Sequence, residues 1–212
     1  MLFHDRVDAG RRLAKQLRKK IQGDCVVLAI PRGGVVVGYE VAKELNCPLD
    51  VVISRKVGAP GQPELAVGAV AEDGTVFVDE EIASIVGVSK EYVQRKALEE
   101  DREVRRRAEA YRGGRAMPEL KGKTVILVDD GLATGLTMKA AVHMARNSGA
   151  EKVIVAVPVS PPETLEKLKK LADDIVCLET PIEFYAIGQF YESFEQLSDE
   201  EVKEILRKSR GM

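Results

Sequence analysis

Val125-Ile-Leu-Val128-Asp129-Asp130-Gly131-Leu132-Ala133-Thr134-Gly135-Leu136-Thr137 is the stretch on which the reading of this chain turns. Thr124–Val128 is an unbroken apolar run, too short for a helix, and so predicts a strand buried on both faces. It stops at two adjacent carboxylates. A turn of small and hydroxylated residues follows, and then a helix from about Gly135 to Asn147, closed near Gly149.

The same rhythm recurs in both directions. Cys25–Ile30 is a second buried strand, broken by Pro31-Arg32-Gly33-Gly34 and followed by a helix over Val35–Leu45. Leu49–Ser54, Val153–Val157 and Ile175–Leu178 complete a set of five strands. Amphipathic spacing predicts a helix over Asp5–Ile21. Ser160-Pro161-Pro162-Glu163 and Ser198-Asp199-Glu200-Glu201 read as capping boxes that open two more. Leu65–Ala71 and Thr75–Val78, on either side of Glu72-Asp73-Gly74, predict a hairpin. Asp79–Val86 and a long charged helix from Ser89 to about Arg112 follow it. Buried strands alternating with helices define an α/β fold: a doubly wound, mainly parallel five-stranded sheet with a small β-hairpin. Ligands of such sheets sit at the carboxyl ends of the strands.

Composition narrows the classes. The 212 residues carry 32 Lys and Arg against 34 Asp and Glu, so no basic excess points to nucleic acid. No apolar run approaches the ~20 residues of a membrane helix, and the N-terminus lacks a signal pattern, so a cytoplasmic protein is expected. Cys25, Cys47 and Cys177 are widely spaced and odd in number, which argues against a disulfide framework or a zinc site; buried thiols are expected. Tyr39-Glu40 stands where a P-loop needs Lys-Ser/Thr, and there is no GxGxxG. A receiver domain also has adjacent acids after a strand, but normally after its first.

The chemistry of the central stretch is specific. Ala133, Thr134, Gly135, Leu136 and Thr137 would present backbone N–H groups and two hydroxyls at a helix N-terminus, a site suited to a phosphate dianion. Asp129 and Asp130 would repel that phosphate but suit the donor hydroxyls of a sugar. The pattern therefore describes a phosphorylated sugar.

These thirteen residues resemble the 5-phosphoribosyl-1-pyrophosphate (PRPP) signature of the type I phosphoribosyltransferases. Gly131 departs from it, since an aliphatic residue or Ser is usual there, and a more flexible strand exit is expected. The Pro31–Gly34 loop and the Phe184–Phe194 segment carry a closer resemblance, to the predicted phosphoribosyltransferases of prokaryotes. The resemblance implies a PRPP-binding core over residues 1–178, with a helical insertion at about 79–115, and a C-terminal hood with a terminal helix over 179–212. It implies a glycosyltransferase that moves phosphoribose to a nitrogenous acceptor and releases pyrophosphate, with Mg2+ bound through the pyrophosphate. Asp129 would hold ribose hydroxyls. Asp130 would stabilise a cationic sugar or act on the acceptor's proton. Arg32, Gly33 and Gly34, with Arg55 and Lys56, would take the pyrophosphate. Val57–Val67 resembles the family's mobile catalytic loop; Gln62 and Glu64 are its polar members. Thr180, Ile182, Phe184 and Tyr185 would line the acceptor site. No protein-bound metal is expected. PRPP and a small acceptor are the expected partners, with no membrane; a homodimer is compatible with the resemblance.

The alternative is a PRPP-sensing regulator that binds nucleic acid through Arg105-Arg106-Arg107. That helix region, Lys90–Arg115, carries nine cationic and six acidic residues, which also fits a solvated face laced with ion pairs.

Overall fold

In a computed structural model, residues 2–211 are described. Helix α1 (Arg6–Arg18) leads into β1 (Cys25–Ala29), α2 (Gly34–Leu45) and β2 (Leu49–Val51). β3 (Ser54–Ala59), β4 (Gln62–Ala71) and β5 (Val76–Val78) come next, then α3 (Glu80–Val86) and α4 (Lys90–Arg112). The chain continues through β6 (Thr124–Val128), α5 (Leu136–Asn147), β7 (Lys152–Val159), α6 (Pro162–Lys169) and β8 (Asp174–Glu179). A 3-10 turn (Ile187–Phe190) and α7 (Asp199–Ser209) close it.

Five strands form one parallel sheet in the order β2-β1-β6-β7-β8. The order reverses between β1 and β6, so their carboxyl ends open a crevice there. Side chains alternate along each strand. On one face Val27, Ala29, Ile126, Val128 and Ile154 pack with α1, α2 and α7; on the other Val26, Leu28, Val125, Leu127 and Val155 pack with α5. Helix α5 is buried almost all round, at Leu136, Met138, Ala140, Ala141, Val142, Met144 and Ala145, because β4 also lies against it.

The parallel sheet agrees with the reading, and four local expectations are corrected. The run Leu49–Ser54 divides: β2 ends at Val51, and the Ile53 N–H donates to Glu72 Oε2 at 2.8 Å as the chain turns into a second sheet. That sheet is three-stranded and antiparallel, in the order β3-β4-β5, and not a lone hairpin. Most of the segment expected as a loop at Val57–Val67 is strand, with a bulge at Val57–Ala59 and a turn at Gly61. The Ser160 capping box is absent: α6 opens at Pro162 behind Pro161, and Ser160 Oγ donates to the Pro161 carbonyl. The second box is present, with Ser198 Oγ accepting from Glu201 N and Glu201 Oε2 accepting from Ser198 N.

Cys25 and Cys47 form a disulfide, with Cα atoms 5.6 Å apart, contrary to the expectation of unpaired thiols; parallel pairing of β1 and β2 brings their neighbourhoods together. Cys177 is free, and burial pushes its thiol up to about 11. Among the described residues no helix is long and apolar enough to cross a membrane.

Candidate active site

Asp129 and Asp130 follow β6 and lie beneath the loop that leaves β1. The Ile30 N–H donates to the Val128 carbonyl at 2.9 Å, holding the two strand exits side by side. Glycine at both loop positions permits a close approach. A Cβ on Gly34 would come within 3.0 Å of Asp129 Cα, and one on Gly33 would strike the Asp130 carboxylate and Arg6 Nε. The predicted residues Gly33, Gly34, Asp129 and Asp130 are thus in mutual contact. The Pro31–Arg32 peptide is cis.

The two acids differ in surroundings. Asp130 is 8% exposed, and its Oδ2 accepts from Arg6 Nε at 2.9 Å. Asp129 is partly open as a residue, but its carboxyl is enclosed by the loop and Oδ1 accepts from the Asp130 N–H at 2.8 Å. Desolvation, reinforced by the neighbouring Asp130 charge, raises the Asp129 carboxyl well above the usual carboxylate range. One acid is therefore held in an ion pair with Arg6, and the other is biased toward its protonated form.

Arg6 and Tyr191 were not singled out from sequence. Arg6 is the first residue of α1, which Asp5 caps by accepting from Asp8 N. Its guanidinium also donates to the Glu195 carbonyl at 2.7 Å and lies 3.9 Å from the Phe194 ring centroid. Tyr191 is buried, and its hydroxyl donates to the Asp130 backbone carbonyl at 2.6 Å. Burial pushes that phenol far above its ordinary value. No local pattern marks these two residues; 124 positions separate Arg6 from Asp130. The segment after β8 and the N-terminus are joined by paired backbone, since Phe3 N donates to Phe190 O and Glu192 N to Phe3 O.

Helix capping sets this edge of the sheet apart. Helices α1, α3, α4 and α7 begin with Asp5, Asp79, Ser89 and Ser198, whose side chains accept from the first-turn N–H groups. Helices α2 and α5, which begin at the crevice, have glycine N-caps, Gly33 and Gly135, without any side-chain cap. At α5 the first-turn N–H groups are left for another acceptor, whereas at α2 the Val35 and Val36 N–H groups already donate to the Arg32 and Gly33 carbonyls. Gly135 adopts φ +73°, a conformation glycine favours, and Thr164 Oγ1 anchors the turn by donating to the Ala133 carbonyl at 2.6 Å. Ala133 and Thr134 are exposed, and Thr137 is half-buried.

The predicted cations lie differently. Arg32 Nε is 3.1 Å from Asp199 Oδ1, and its Nη1 donates to the Leu197 carbonyl, so the side chain turns toward α7. Arg55 and Lys56 lie on β3, in the antiparallel sheet, and not at the end of a parallel strand. Arg55 pairs with Glu100 of α4 at 2.7 Å, and Lys56 is exposed.

Of the predicted acceptor residues, Ile182 and Phe184 line a cavity of 260 Å³ with Pro161, Pro162 and Glu163. Phe184 leans on Phe190, with ring centroids 5.0 Å apart. Thr180 and Tyr185 are exposed and do not line it. Gly131 also has a reason other than flexibility: a Cβ there would meet Ile187 Cγ2 at 2.7 Å, so the residue lets the 3-10 turn close on the strand exit. Among the described residues no three His, Cys, Asp or Glu side chains cluster to hold a metal.

A doubly wound sheet whose switch point gathers two uncapped helix N-termini and a pair of carboxyls is the architecture of a phosphate-ester or nucleotide site. The model of the phosphoribosyl transferase domain matches residues 3–194, and the chain belongs to that family. It is 47% identical over 208 residues to "Putative phosphoribosyl transferase" of Mycobacterium tuberculosis, covering 97% of this chain and 46% of that protein. The chain thus spans about half the length of the curated relatives it matches. The crystal structure of TT1426 from Thermus thermophilus is similar at 44% identity and a TM-score of 0.84, over 98% of this chain and 99% of that one. A purine phosphoribosyltransferase from Pyrococcus horikoshii shares the fold at 18% identity and a TM-score of 0.50, over 91% and 93% of the two chains.

Proposed function

We propose that the protein transfers 5-phosphoribose from PRPP to a nitrogenous acceptor with release of pyrophosphate. The observation that carries this reading is the meeting of two uncapped helix N-termini with Asp129 and Asp130 at the switch point of the sheet. The α5 N-terminus, from Ala133 to Thr137, takes the 5-phosphate. Gly33 and Gly34 at the start of α2 take the pyrophosphate through their backbone. Asp129 and Asp130 lie between and take the ribose.

The reaction breaks the C1–oxygen bond to pyrophosphate and forms a bond from C1 to the acceptor nitrogen, whose proton leaves. Positioning and charge stabilisation supply the rate, without a protein nucleophile. Asp130, paired with Arg6, faces the cationic sugar. Asp129, biased toward its protonated form, donates to or accepts from ribose hydroxyls. Arg32 reaches the pyrophosphate once it leaves Asp199, and Arg55 once it leaves Glu100. The residues fit a metal carried by the ligand, since the acids at the site number two and Asp130 is already paired. Mg2+ bound to pyrophosphate would neutralise the leaving group, as it commonly does with phosphates. Residues 1–178 serve as the PRPP core and 179–212 as a hood, with Ile182 and Phe184 the candidates to touch the acceptor.

The test is isotope-labelled PRPP with Mg2+ and a panel of purine, pyrimidine and related acceptors, followed by pyrophosphate release. Acceptor-dependent release that falls mainly in kcat in Asp129→Asn/Asp130→Asn, at unchanged folding, is expected. Parental turnover in that variant would remove the acids from the reaction.

A further inference from the structure

Lys139 is the least expected side chain in the molecule. It lies in the second turn of α5, is 3% exposed, and has no hydrogen-bond or ion-pair partner among the described residues. Its ammonium group reaches a cavity of 540 Å³ between β5, α3, α5 and α6, a volume in the range of small-molecule sites. None of the lining residues belongs to the candidate active site.

The acids around the cavity lie near enough to act on its charge, but none forms an ion pair with it. Asp79 is committed to the helix cap, accepting from Ile82 N at 3.0 Å. Glu81 is paired with Lys167 at 3.4 Å, and Glu80 is exposed. Lys90, Lys167 and Lys170 line the same cavity, giving four lysines against three acids. Burial, helped by the Lys167 charge, lowers the Lys139 pKa against the opposing charges of Asp79 and Glu81. An ammonium that faces a cavity without an ion pair is placed to take an anionic group there.

The floor of the cavity is aromatic. Phe77 and His143 stack with ring centroids 5.5 Å apart and planes inclined by 25°, and Lys139 Nζ lies 5.4 Å from the Phe77 centroid. Burial and the Arg146 charge lower the His143 pKa, keeping the imidazole in its neutral form. Val76, Val78 and Leu171 complete an apolar wall.

From this combination we infer that the cavity binds a planar aromatic anion, with its ring on the Phe77–His143 shelf and its acidic group on Lys139. The site is separate from the PRPP crevice and does not depend on that reading.

The test uses two fluorescent probes that differ by one charged group. 8-Anilinonaphthalene-1-sulfonate carries an aromatic sulfonate, and N-phenyl-1-naphthylamine is its neutral counterpart. Wild-type protein should bind the sulfonate saturably at one site and prefer it to the neutral probe by about tenfold or more, the scale of one charge-assisted hydrogen bond. Lys139→Met should abolish that preference while retaining the neutral probe and the fold, checked by thermal unfolding. Absence of saturable sulfonate binding, or the same preference in the variant, would overturn the assignment. A Lys139→Met chain that fails to fold is replaced by Lys139→Gln, read in the same way.

Discussion

At Asp129 and Asp130 two adjacent carboxyls have different surroundings. Arg6 pairs with Asp130, and desolvation raises the Asp129 carboxyl. Asp129 binds its proton more tightly folded than unfolded. Its contribution to stability is therefore fully present below the unfolded carboxyl pKa and is lost as pH rises through the raised folded value. Asp129→Asn removes that titration. Its melting temperature should rise relative to wild type as pH increases from 4 to 8, in a thermal-unfolding series; a constant offset would mean the acid is not shifted. The pair of acids was legible from the sequence because four apolar residues run straight into them. Arg6 was not, because its contact crosses the whole domain and amphipathic spacing in α1 marks only the buried face. An Arg6→Gln change should cost about 2–4 kcal/mol in chemical unfolding, since it strands a nearly buried carboxylate.

At the scale of elements, buried strands and most helix caps were readable, the Ser160 box excepted, and sheet membership was not. Asp79, Ser89 and Ser198 sit at the predicted helix starts, because a short polar side chain before an apolar period has a direct structural cause. The division of Leu49–Ser54 between two sheets has no such local cause. It depends on Glu72, which accepts from Ile53 N and pairs with Arg112 Nη1 at 2.6 Å. Arg112 also reaches Asp50 at 3.3 Å and donates to the Val51 carbonyl at 2.8 Å. With all three side chains under one-tenth exposed, this cluster ties α4 to both sheets. Arg112→Met leaves Glu72 buried without a counter-ion and Asp50 with only Arg210 at 4.0 Å, and should destabilise the protein by about 3–5 kcal/mol in denaturant unfolding. A loss under about 1 kcal/mol would show that the cluster is relaxed by water, as at an ordinary surface pair.

In the whole molecule, the parallel sheet delivers two helix N-termini and two acids to one crevice, and the N-terminal and C-terminal segments pair across its side. The crevice was legible from its phosphate-like turn. The cations were less so, because Arg32, Arg55 and Lys56 were located by position along the strands, whereas Arg32 and Arg55 are held by carboxylates of α7 and α4. The central claim is that the α5 N-terminus holds the phosphate of PRPP. Isothermal titration of PRPP with Mg2+, into wild type and into Thr134→Val/Thr137→Val, tests it most directly. Saturable one-to-one binding that weakens by about 1–3 kcal/mol in a variant of unchanged melting temperature is the predicted result. No binding to wild type, or equal affinity in the two proteins, would contradict it.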